Sequence, residues 1–211
     1  MIYLITGGNS FLGIALSRCL LAEGHDVIIA CRQTSKCDIR ENEHLMIVRY
    51  KGLEDIKSLE GKVIHADALI HLAWGGTDRV GRNSKEMQEK NINFSIDTLN
   101  VAKTIGCQLF VEAGSQAEYG IVDGVITEET LCNPVTEYGK AKLKFGALAN
   151  KWCGNNEMKF IHLRICSIFG IHDHPSTLVA STIKKMMNNE DVELSSCRQM
   201  GNFIDEEDAA R

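Results

Sequence analysis

Ile2-Tyr3-Leu4-Ile5-Thr6 runs directly into Gly7-Gly8-Asn9-Ser10-Phe11-Leu12-Gly13, and an amphipathic stretch from Phe11 to Glu23 follows without a break. The opening five residues form the apolar run of a strand covered on both faces. Glycine at the strand's end makes a tight turn, and Gly13 lets the following helix pack close against the strand. The N-terminus of that helix presents unpaired amides and a positive dipole end to a phosphate. Strand, glycine turn and helix thus fall in the order a dinucleotide pyrophosphate requires. Gly7, Asn9, Ser10, Phe11, Leu12 and Gly13 are the expected cofactor contacts.

Outward from this stretch the same alternation continues. Short apolar runs occur at Val27 to Cys31, Leu45 to Val48, Ala68 to Ala73, Leu109 to Ala113 and Phe160 to Ile165. Helical patterns lie between them at Lys85 to Thr104 and Tyr138 to Cys153, with a short helix expected from Leu53 to Glu60 and Gly61 as its cap. This alternation predicts an α/β fold, a Rossmann-type doubly wound parallel sheet with right-handed crossovers. Asn202 to Asp208 reads as a buried strand entering a helix.

A chain of 211 residues with 44% hydrophobic and 24% charged residues can bury one sizeable core. A net charge of −5 offers no basic field for nucleic acid, and no apolar run approaches the roughly 20 residues of a membrane span. Of the eight cysteines, Cys19, Cys31, Cys107 and Cys166 lie inside apolar patterns, and no Cys-x-x-Cys pair occurs. Reduced thiols and a cytoplasmic location are expected. His172-Asp173-His174 has no second ligand cluster beside it, so a solvated loop is expected there and no metal.

The second strand ends at Ala30-Cys31-Arg32. A carboxylate near this point grips the ribose 2′-hydroxyl of NAD, whereas a cation accommodates a 2′-phosphate. Arg32, with Lys36 nearby and no acid before Asp38, favours NADP(H) over NAD(H).

Tyr138 and Lys142 stand four residues apart at the start of a helical pattern, which puts them on one face. A tyrosine near its ordinary pKa of about 10 is a poor proton donor or acceptor at neutral pH. The adjacent ammonium, helped by an oxidised nicotinamide, is expected to lower that value. Tyr138 can then exchange a proton with a sugar oxygen while hydride moves at the sugar carbon.

The chain resembles the extended short-chain dehydrogenase/reductase family, the NAD-dependent epimerase/dehydratase group acting on nucleotide sugars. Thr6-Gly7-x-x-Ser10-x-x-Gly13 is similar to the family's phosphate loop, and Asp67 to Ala73 to its fourth-strand motif. Asn91-Ile92, Phe110 to Gly120, Tyr138-x-x-x-Lys142 and Arg164 to Gly170 match further motifs. The resemblance implies a serine hydrogen-bonding the reacting oxygen (Ser115), an acid/base (Tyr138) and a lysine that holds the ribose (Lys142). It implies that Leu72, Ala73 and Asn91 line the cofactor groove and that Ser167 contacts the sugar. It also implies a homodimer built from the helices 85–104 and 138–153. Phe203 to Asp208 resembles a motif found well before the family's C-terminus. Residues 1–170 are therefore expected to form the dinucleotide domain, and 171–211 the start of an incomplete sugar lobe.

Ser10 stands where relatives carry a second glycine; it is small and can cap the helix. Gly52 and Gly201-Asn202 depart from the family's adenine- and substrate-contacting residues. The family's 4,6-dehydratases carry Thr-Asp-Glu where this chain has Ser115-Gln116-Ala117, and Glu118 is offset by one residue, so it is expected to point elsewhere. Without that acidic pair, water elimination lacks its donor and base. The reading is 4-keto reduction or C4 epimerisation of a nucleotide sugar, and the alternative is a non-catalytic dinucleotide sensor or scaffold.

Overall fold

The computed structural model describes residues 1–198 and 201–211. The main elements are β1 (Ile2–Thr6), α1 (Phe11–Ala22), β2 (Asp26–Arg32), β3 (Leu45–Tyr50), β4 (Ala68–His71), α2 (Lys85–Thr104), β5 (Leu109–Ser115), α3 (Glu137–Asn155) and β6 (Lys159–Ile165). Beyond them come β7 (Ser167–Phe169), α4 (Leu178–Met187), β8 (Phe203–Asp205) and α5 (Glu206–Ala210). Strands β1 to β6 form one parallel sheet in the order β3-β2-β1-β4-β5-β6, and β7 pairs with β8 in a second, two-stranded sheet. Chain order reverses between β1 and β4. Ligands of doubly wound sheets bind in the crevice outside the strand ends at such a point.

Both faces of the sheet are covered, unequally. On one face α2 and α3 pack on Leu4, Ile28, Leu69 and Phe110, with Phe94, Leu99, Phe145 and Ala149 closing the core. On the other, α1 covers Ile5, Val27, Ile29 and Ile70 through Leu20 and Leu16. That cover runs out toward β6, where Ile161 and Leu163 stay 44% and 45% exposed. An open cavity of about 700 Å³, lined by Leu12, Leu16, Val111, Leu163 and Phe203 among others, lies along the same face.

Several elements differ from their sequence expectation. β4 stops at His71 rather than Ala73, because its neighbour β1 also ends there. The Leu72 amide makes a last bond to Thr6 O, and Gly7 then turns with φ +70° against the Ala73 backbone. The short helix expected after β3 is present as a 3₁₀ segment, Leu53–Gly61, and is capped at Lys62 rather than at Gly61. β5 runs on to Ser115 through parallel pairing with β6. The Phe203–Asp205 strand is not buried, since it pairs only with β7; Phe203 and Ile204 are exposed. Cys166, expected inside an apolar strand, is exposed in the link between β6 and β7. All eight cysteines are free thiols. α4 has no counterpart in the sequence reading and buries none of its residues.

Candidate active site

The phosphate turn is shaped by what its glycines leave out. A Cβ at Gly7 would lie 2.9 Å from Ala73 N, and one at Gly13 would collide with the Gly7 carbonyl and stand 2.7 Å from Gly8 Cα. Ser10 caps α1, its hydroxyl accepting the Gly13 amide at 3.2 Å. The first turn of α1 holds no acid, so the positive end of the helix is not neutralised. The amides of Phe11 and Leu12 have no intrahelical acceptor, as at any helix start. The Asn9 side chain donates to Lys36 O at 3.0 Å, tying the turn to the segment after β2. A turn without side-chain bulk, facing an open helix N-terminus, fits a dinucleotide pyrophosphate.

Arg32 ends β2 beside this turn and is exposed. Its carbonyl accepts from Arg49 Nη1 at 3.3 Å, and the same guanidinium group donates to Ser35 O at 2.8 Å. Leu72 and Ala73 are half-buried against Gly7. Asn91 is fully buried: its Oδ1 accepts the Gly75 amide at 2.9 Å and its Nδ2 donates to Gly75 O at 2.8 Å. It holds the loop after β4 from behind rather than presenting its amide to the groove.

Ser115, Tyr138 and Lys142 are brought together from β5 and α3. Thr136 caps α3 by accepting the Gly139 amide at 3.1 Å. A Cβ at Gly139 would collide with Ala117 O, so this glycine lets the helix start close to the turn after β5. That approach sets the Tyr138 phenol against the Ser115 side chain. Lys142, 2% exposed, donates to Ala113 O at 2.7 Å, lies 3.9 Å from Glu112 Oε1 and rests 3.6 Å over the Trp74 ring. Burial pushes its ammonium down to about 8, against the pull of Glu112 and Glu118.

In the protein alone the Tyr138 pKa is raised rather than lowered. Burial raises it, while Ser115 and the Arg82 guanidinium act in the opposite direction without prevailing. The cation facing the ring is Arg82, with Cζ 4.6 Å from the centroid, whereas Lys142 is engaged with Ala113 O and Trp74. Sequence reasoning missed Arg82 and Trp74, which arrive on the loop between β4 and α2. Trp74 meets Tyr138 edge-on, with ring centroids 6.2 Å apart.

Glu118 is taken up behind Ser115 by the protein's own groups. It is fully buried, its Oε1 accepting the Ser115 amide at 2.7 Å and its Oε2 meeting His162 Nε2 at 2.8 Å and Arg164 Nε at 3.1 Å. Burial opposes its ionisation, but His162, Ser115 and Arg164 hold its carboxyl below the ordinary value. Ser167 opens β7, two residues beyond Ile165, the register partner of Ser115. His172, Asp173 and His174 bond to Arg18, Thr177 and Ser176. His71 joins β1, β4 and α2 through Thr6 Oγ1 and Ser95 Oγ, both at 2.8 Å; burial, with Lys142 nearby, takes its pKa down to about 3.

Fold and site together define a Rossmann-type doubly wound domain with Ser115, Tyr138 and Lys142 at its strand ends. The chain belongs to the NAD-dependent epimerase/dehydratase family, whose model matches residues 3–211. It is 25% identical to CDP-abequose synthase of Salmonella muenchen over 210 residues, covering 95% of this chain and 64% of that protein. Among solved structures, it superposes on UDP-N-acetylglucosamine 4-epimerase of Methanobrevibacter ruminantium M1, solved with UDP-N-acetylmuramic acid. There the TM-score is 0.87 at 20% identity, covering 99% of this chain and 70% of that one. UDP-glucuronic acid 4-epimerase of Bacillus cereus, solved with UDP-glucuronic acid and NAD, gives 0.83 at 21%, covering 100% and 71%. These two likenesses establish the fold. The chain spans a little over three fifths of the length of three curated relatives, 64%, 63% and 61%, and less of others it matches. Among the described residues, no helix is long and apolar enough to cross a membrane.

Proposed function

We propose that this chain carries the cofactor-binding and catalytic part of an NAD(P)-dependent enzyme acting at carbon 4 of a nucleotide sugar, by 4-keto reduction or C4 epimerisation. The observation that carries the reading is the meeting of Tyr138 with Ser115, and of Tyr138 and Lys142 with Trp74, one residue past the Ala73 backbone that packs on Gly7. A bound nicotinamide dinucleotide would supply or accept the hydride. The chain's own residues do the rest. The open N-terminus of α1 holds the pyrophosphate, and Leu72 and Ala73 form the groove wall that Asn91 braces through Gly75. Ser115 orients the sugar oxygen, and Tyr138 gives or takes its proton. Lys142 binds the ribose, and Ser167 stands where a sugar contact would come.

Two finer points follow. Arg32, exposed beside the turn, favours NADP(H), although a similar structure was solved with NAD. A 4,6-dehydratase is disfavoured, since Gln116 and Ala117 offer no acid or base and Glu118 is spent on His162, Arg164 and the Ser115 amide. Two copies are proposed to pair through α2 and α3, which sedimentation would test.

The test is fluorescence titration of the full-length protein with NADPH and NADH, followed by turnover of 4-keto nucleotide sugars and of 4-epimer pairs. Dinucleotide binding with turnover on one of these classes is expected. Binding without turnover on any of them would replace the enzyme with a dinucleotide sensor or scaffold.

A further inference from the structure

Behind Ser115 and Lys142 the protein buries a connected set of charges. Glu112 and Glu118 are fully buried, and the His162 ring lies between them, Nδ1 2.7 Å from Glu112 Oε2 and Nε2 2.8 Å from Glu118 Oε2. Each end of this chain of contacts reaches the site. At one end Glu118 Oε1 accepts the Ser115 amide at 2.7 Å. At the other, Glu112 Oε1, which has no hydrogen-bond partner of its own, lies 3.9 Å from Lys142 Nζ.

Space for the imidazole is made deliberately by two glycines. A Cβ at Gly114 on β5 or at Gly146 on α3 would come within 2.7 Å of the His162 ring. Glycine inside a strand or helix costs roughly 0.5–1 kcal/mol relative to alanine, so both elements give up local stability to admit the ring. Buried ion pairs carry a desolvation penalty that often cancels their attraction, so net stabilisation is a poor reason for building one here.

We propose that Glu112, His162 and Glu118 form a positioning relay that holds the Lys142 ammonium and the Ser115 amide in register with each other. The relay rests on the site assignment made above. Arg164, 3.1 Å from Glu118 Oε2, anchors its outer end. The groups around Lys142 are Glu112 and the Ala113 carbonyl from β5, Glu118 from the following turn, neutral His71 from β4 and Trp74 from the loop after β4. The two relay carboxylates favour its charged form, alongside the Trp74 ring beneath it and the Ala113 carbonyl it donates to.

Trp74 makes the relay measurable without a substrate, because its ring carries Lys142 Nζ. In a Trp152→Phe protein, emission from Trp74 is followed against pH. A transition near 8 is expected, and Lys142→Met should remove it. Glu112→Gln should move the midpoint down by about one unit or more, and Glu118→Gln should move it down by less. Carboxylates that only filled space, with no charge coupled to Lys142, would leave the midpoint in place. An unchanged midpoint in both variants, with circular dichroism intact, would overturn the relay. Should Glu112→Gln not fold, Glu118→Gln decides alone. Failure of turnover on every sugar would overturn the proposed activity and leave this result standing.

Discussion

The two ends of the crevice are built from different materials. The phosphate end is made of backbone: glycines without side chains, a helix start, and one serine cap. The catalytic end is made of side chains, with Lys142, Glu112 and Glu118 buried and His162 threaded between them. A backbone site tolerates nothing added to it. A charged side-chain site tolerates shape but responds to pH and to the loss of a single partner.

Each half of this contrast can be broken separately. The largest effect is expected from Gly13→Ala, whose new methyl group meets the Gly7 carbonyl and Gly8 Cα. Overpacking of this kind costs about 3 kcal/mol and should open the turn. Urea unfolding should show a lower midpoint, and dinucleotide titration a loss of binding.

The catalytic end should instead show itself in pH. Burial alone would lower the His162 pKa, but its bonds to Glu112 and Glu118 raise it from 6.5 to about 9. The stability this contributes is complete below 6.5 and is lost as pH rises through 9. Lys142, lowered to about 8, acts with the opposite sign above that pH. Unfolding free energy should therefore fall between pH 6.5 and 8, by about 2 kcal/mol, stay level to about pH 9 and recover above it. His162→Gln should remove the fall when chemical denaturation is repeated across that range.

A smaller effect is expected at the rim of the phosphate end. Arg32→Asp should shift the ratio of NADPH to NADH affinity about tenfold toward NADH, since a charge-assisted hydrogen bond is worth about 1.5–3 kcal/mol. An unmoved ratio would show that the arginine plays no part in selection. Least of all, Ser10→Ala removes one cap from α1 and should cost about 1 kcal/mol in thermal unfolding with the fold retained.

The same contrast explains what the sequence disclosed. The phosphate turn is local, so the spacing of Gly7, Ser10 and Gly13 was enough to read it, cap included. The helix from Lys85 to Thr104 was likewise read from its own periodicity. Tyr138 and Lys142 were legible as a helical pair. Arg82 and Trp74 were not, because a loop with no periodicity carries them back over Tyr138. The groups facing Tyr138 are illegible in the sequence for that reason: the cation over its ring is Arg82, and burial outweighs it. The relay had an available signal that was passed over. Glu112 and His162 are the fourth residues of two adjacent, otherwise largely apolar strands, and they are register partners in the sheet. An acid and a histidine at matching depth in neighbouring strands call for each other.

In the proposed mechanism Tyr138 moves the proton while the rest of the site only holds the reactants. Tyr138→Phe separates these roles, because it removes one oxygen and keeps the ring between Trp74 and Arg82. In the full-length protein, dinucleotide affinity should stay within about threefold of wild type, under 1 kcal/mol, while turnover of the sugar falls by about a thousandfold or more. Turnover within tenfold of wild type, with binding intact, would contradict the account.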